Sequence, residues 1–64
     1  MQESPILKYF EFDHLPGKLK PISRSICGVA QYMEGELPQS AEKSAGLRKL
    51  LEAKDCFVRA RLDG

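Results

Sequence analysis

A proline in the middle of the chain limits the fold more than any other feature. Leu37-Pro38-Gln39 separates two stretches of helical periodicity. Proline brings no N–H to the ladder and clashes with the carbonyl four residues back, so neither helix runs through it. Before the break, Ile22, Ile26, Val29, Ala30 and Met33 recur at steps of four, three, one and three. That spacing predicts one apolar stripe on a helix. Pro21 belongs there only within the first turn, where its missing N–H has no helical partner. The helix is therefore expected over 18–36. Gly28 and Gly35 weaken it by ~1 kcal/mol each relative to alanine. Gly28, at mid-helix, suggests the close approach of another backbone or a ligand, with a simple bend as the alternative. After the break, Ser40 suits an N-cap and Glu42 suits the positive end of the helix dipole. The second helix is expected over 40–62, with Leu47, Leu50, Leu51, Phe57, Val58 and Leu62 as its stripe. Lys54 interrupts the stripe, where its stem can lie flat while the ammonium stays wet. Arg48/Glu52 and Asp55/Arg59 are four apart and can pair on the solvent face. A connection this short makes the two helices antiparallel neighbours.

Ahead of the hairpin, residues 1–15 read as an N-terminal arm whose first five residues are a frayed polar tail. Phe10, Phe12 and His14 alternate with Glu11 and Asp13. A period of two predicts an extended segment with one ring-bearing face. A short helical turn over 5–10 is the alternative. Pro16-Gly17 is a turn signal. The expected fold is all-α and a single domain, 1–64: an arm or short helix followed by an antiparallel helical hairpin. A chain of 64 residues buries only ~60% of the surface its unfolded form exposes. Two helices cannot enclose a core alone, so self-association is the expected remedy.

Charge and cysteine content narrow the function classes. Ten Lys/Arg face nine Asp/Glu, a net charge of +1. A protein that coats DNA or binds an anionic membrane surface needs a larger basic excess. No apolar run approaches the ~20 residues that span a bilayer. The N-terminus lacks the basic segment and apolar core of a secretory signal. Cys27 and Cys56 with His14 cannot complete a four-ligand zinc site within one chain. If the helices fold back around Pro38, Cys27 faces position 50 and Cys56 faces position 21. That six-residue stagger is ~9 Å along a helix, beyond the ~7 Å a disulfide tolerates. Two free, partly buried thiols in a reducing cytoplasm are expected.

No phosphate-binding glycine loop or nucleophile elbow is present. Asp13-His14 lacks the convergent groups of an active site. The expected class is therefore non-enzymatic, with no cofactor and no metal. A ring-bearing arm beside a helix with one arginine suits a nucleotide, since an aromatic face stacks a base and a guanidinium takes phosphate in bidentate fashion. One ring and one cation per subunit match a symmetric ligand held on the axis of an oligomer. Arg59 and Arg61, near the end of the second helix, also suit the negative end of its dipole.

The segments FEFDHLPG, VAQYMEGELP and SAEKSAGLRKLLEAKDCFVRA, read together, resemble the small helical phage proteins of the anti-CBASS cyclic-nucleotide sponge family. The resemblance covers about residues 9–61 and is most specific in the second helix. It implies a short N-terminal element plus two antiparallel helices, interlocked into a homohexamer in the host cytoplasm. It implies sequestration of cyclic dinucleotides, and in some members cyclic trinucleotides, so that a bacterial antiviral effector stays silent. Phe12 best matches the stacking ring, with His14 or Phe10 as alternatives because the arm is one residue longer before Pro16. Arg24 is the nearest cation to the phosphate-binding position, which Ser23 occupies in register. A trinucleotide site would draw on Gly28, Arg59 and Arg61.

Overall fold

The computed structural model describes residues 4–63. A 3-10 helix, Pro5–Phe10, is followed by α1, Lys20–Glu36, and α2, Ala41–Asp63. The described residues are helical or irregular, and none lies in a strand. The arm packs on both helices, and α1 packs on α2. The shape is long and thin, 37 × 19 × 15 Å. A helix with its side chains is ~10–12 Å across, so a body 15 Å thin leaves few positions enclosed on every side.

The helix boundaries follow local chemistry. Pro21 lies in the first turn of α1, where it costs no hydrogen bond. Leu37 leaves the helix with extended backbone, its N–H donating to the Met33 carbonyl. The Ser40 hydroxyl accepts the Lys43 N–H at 3.1 Å, the N-cap expected from the sequence. Glu42 sits in the first turn of α2.

The arm follows the second of the two expected conformations. Pro5–Phe10 forms a short helix rather than an extended strip, and the alternation of rings does not survive as one face. Phe10 is fully buried, Phe12 is partly buried and His14 is exposed. Pro5 starts this helix without loss, because the first N–H of a helix has no partner. The turn at Pro16-Gly17 appears as expected, with the Leu19 N–H donating to the Pro16 carbonyl.

The core joins Phe10, Cys27, Ala30 and Leu47, with Ile6, Leu7, Phe12, Ile26, Leu50 and Leu51 packed around it. This differs from the expected stripe. The enclosed face of α1 carries Ser23, Cys27 and Ala30, while Val29 and Met33 are 44% and 39% exposed. The reason is that α1 meets two neighbours. The arm and α2 together turn its inward face away from the residues chosen by hydrophobicity alone. On α2, Leu47 is buried but Phe57 and Leu62 are exposed. Gly28 is open, since a Cβ there would meet nothing within 4 Å, so no other segment among the described residues approaches it closely. Cys27 and Cys56 are both free. Cys56 is exposed rather than partly buried.

Candidate functional site

Three features could do chemistry or binding: a polar staple at the turn, a cation-rich far end and an open apolar face. The staple begins with the proline break. Ending α1 at Leu37 leaves carbonyls without helical partners. Lys43, one turn into α2, supplies donors to two of them: its Nζ reaches the Glu34 oxygen at 2.9 Å and the Leu37 oxygen at 2.8 Å. The same ammonium pairs with the Glu34 carboxylate at 3.1 Å. Glu34 also accepts the Ser4 N–H at 2.8 Å and the Ser4 hydroxyl at 2.7 Å. The Gln39 amide adds a longer contact at 3.3 Å. Arm, α1 and α2 thus meet on one carboxylate. The Ser4 hydroxyl and then the Ser4 N–H, with Lys43 beside them, pull the Glu34 carboxyl down to about 2 from an ordinary 4.5. The Ser4 and Lys43 donors are spent within the cluster, which therefore acts as a joint between arm and helices.

The Cys27 thiol is a poor nucleophile. Burial pushes the Cys27 thiol above its ordinary value of 9.0, and the Glu11 and Asp13 carboxylates push it further. A protonated thiol is a poor nucleophile. Among the described residues, no group of three His, Cys, Asp or Glu is placed to hold a metal ion. No helix among them is long and apolar enough to cross a membrane.

At the far end, the turn before α1 meets the last turns of α2. Arg61 Nη1 donates to the Lys18 carbonyl at 3.1 Å. Arg59 Nη2 donates to Cys56 Sγ at 3.5 Å, and Arg24 is exposed on α1. The expected Asp55/Arg59 pair is not formed, because Asp55 pairs with Lys54 at 3.3 Å. Lys54 also donates to the Tyr9 carbonyl at 3.1 Å, tying the arm to α2. The expected Arg48/Glu52 pair is not formed among the described residues either.

The structure separates the residues singled out in sequence. Phe10 is a core residue, and its ring has no open face. Ser23 is fully buried, and its hydroxyl finds no hydrogen-bond partner among the described residues. Its neighbour Arg24 is the exposed cation. Phe12 is partly buried against the core. His14 and Gly28 are exposed. Lys43 and Glu34 escaped the sequence reading, although Lys43 sits three residues after the cap and directly above the carbonyls that Pro38 strands.

The third feature is the open face of the hairpin. A recess of about 440 Å³ lies between the helices near the turn, beside Val29, Met33, Leu47 and Leu50. A second, about 420 Å³, lies nearer the far end beside Ile22, Ile26 and Phe57. Their apolar walls suit a packed surface more than a polar ligand. Comparison of the chain with protein-family models, with curated proteins and with solved structures finds no match.

Proposed function

We propose that this chain is a non-enzymatic phage protein that assembles into a homo-oligomer, a hexamer in the fullest form of the reading. The assembly binds and sequesters cyclic oligonucleotides in the host cytoplasm. The observation that carries the proposal is the far end. There the Lys18 carbonyl, in the turn that follows the ring-bearing arm, accepts from the Arg61 guanidinium, and Arg24 is exposed one turn into α1. Guanidinium groups suit phosphates and aromatic rings suit stacked bases. The all-helical arm and hairpin agree with the fold that the sequence resemblance implies.

In this reading Phe12 or His14 stacks on the base, and Arg24 rather than the enclosed Ser23 takes the phosphate. Phe10 serves the core. Arg59 and Arg61, with the open backbone at Gly28, would serve a cyclic trinucleotide. Native mass spectrometry of the chain alone and with cyclic di- and trinucleotides tests the proposal. Discrete ligand masses on a hexamer, in threes for two-fold ligands or in twos for three-fold ligands, support it. Phe12→Ala should weaken that uptake by ~1–3 kcal/mol without dissolving the assembly. A hexamer indifferent to every cyclic nucleotide favours the second reading, a self-assembly or protein-binding module. The apolar recesses of the open face are the specific support for that alternative.

A further inference from the structure

The open face of the hairpin carries a register. On α1, the lining residues Ile22, Ile26, Val29 and Met33 follow steps of four, three and four. On α2, Glu42, Gly46, Leu50, Phe57 and Arg61 follow steps of four or seven. Each series lies on one helix face, so the two recesses are parts of one groove along the hairpin.

The ends of that groove are complementary in shape and in charge. Near the turn, Gly46 has no side chain, and a Cβ placed there would meet nothing within 4 Å. It is a notch in the wall. Near the far end, the Phe57 ring is 52% exposed. It is a protrusion. One turn outward from the notch stands Glu42, exposed and in no ion pair among the described residues. One turn outward from the ring stands Arg61, which spends one guanidinium contact on the Lys18 carbonyl and keeps further donors.

We propose that a second copy of this chain covers the groove, antiparallel about a two-fold axis. Phe57 of each copy sits in the notch at the partner's Gly46, and Arg61 faces the partner's Glu42. The spacing fixes the register. Gly46 lies four residues after Glu42, and Phe57 lies four residues before Arg61. An antiparallel alignment that seats the ring on the glycine therefore also brings the two charges together. A two-fold axis makes each contact twice. A parallel alignment would instead set Arg61 on Arg61 and Glu42 on Glu42, and like charges across an interface oppose it. The inference rests on the self-association within the proposed function and does not depend on any nucleotide.

Sedimentation of the full chain without nucleotide tests the register. Phe57→Ala and Gly46→Leu should each weaken self-association by about tenfold or more, since one empties the notch and the other fills it. Leucine is the better helix former, so circular dichroism of Gly46→Leu should show helix content retained. Glu42→Arg and Arg61→Glu should each weaken association, and the double variant should recover about tenfold over either single change. A wild-type chain that stays monomeric overturns the proposal. So does a double variant no better than the singles, or an assembly indifferent to Phe57 and Gly46. Charge-swap variants that behave as expected, beside a wild-type assembly that takes up no cyclic nucleotide, overturn the functional reading alone. Nucleotide uptake by an oligomer indifferent to all four substitutions overturns this interface alone.

Discussion

At the turn end of the hairpin, one carboxylate gathers the arm and both helices, and the Lys43 ammonium satisfies the carbonyls where α1 stops. At the far end, two exposed apolar residues, Phe57 and Leu62, stand on α2, and one arginine reaches across to the Lys18 carbonyl. Both ends belong to the same pair of helices. The difference lies in how they are fastened: a carboxylate–ammonium cluster at the turn, and a single arginine-to-carbonyl contact at the far end. The isolated subunit is tied most densely at the polar joint, while apolar side chains stay exposed at both ends, Met33 and Leu37 near the turn and Phe57 and Leu62 at the far end.

Substitutions at matched residues can break this contrast. Phe10→Ala removes a fully buried ring and should destabilise the fold by ~3–5 kcal/mol, read by chemical denaturation. Phe57→Ala, at a half-exposed ring, should leave the stability of a dilute monomer within about 0.5 kcal/mol of wild type. Equal losses at the two rings would erase the distinction between the ends. Ser40→Ala deletes the cap that holds the Lys43 N–H and should cost about 1 kcal/mol, with amide exchange rising first in the opening turn of α2.

Acid should act on the joint and spare the far end. The Glu34 carboxyl is held at about 2 against an ordinary 4.5. A group depressed on folding contributes stability that is complete above its unfolded value and fades as pH falls toward its folded value. The thermal midpoint should therefore fall between pH 4.5 and about 2. Glu34→Gln should lower the midpoint at neutral pH and flatten that acid limb relative to wild type. The smallest effect is expected at Ser23→Ala. Its hydroxyl is enclosed without a partner among the described residues, so deleting it should be neutral or raise stability by up to about 1 kcal/mol. A clear loss of stability would reveal a hydrogen bond at that hydroxyl.

The backbone plan was legible in the sequence, because it depends on local rules. Pro21 in a first turn, Pro38 at a break and Ser40 at a cap each act within four residues, and all three stand where those rules place them. The inward faces were less legible. Ser23 and Cys27 are enclosed while Val29 and Met33 are open, because the arm adds a second packing direction that the periodicity of α1 cannot encode. Phe10 illustrates the same limit. Its alternation with Glu11 suggested a strip of rings, but one ring became the plug between the helices. The cations at the far end were visible as residue types. Only the fold shows that Arg61 reaches the turn before α1 while Lys43, of the same charge, is enclosed at the opposite end.

The Lys43 joint also sets where the gene tolerates change. Surface turns are ordinarily the safest places for inserted tags or new termini. Here the turn is a gauge with a fixed length. One extra residue between Leu37 and Ser40 that extends the start of α2 would rotate it by about 100° relative to α1. Lys43 would swing away from the Glu34 and Leu37 oxygens it now holds. Insertion scanning should thus find the shortest loop of the hairpin among the least permissive, with labels better accepted on the exposed outer side of α2, at Lys49 or Glu52.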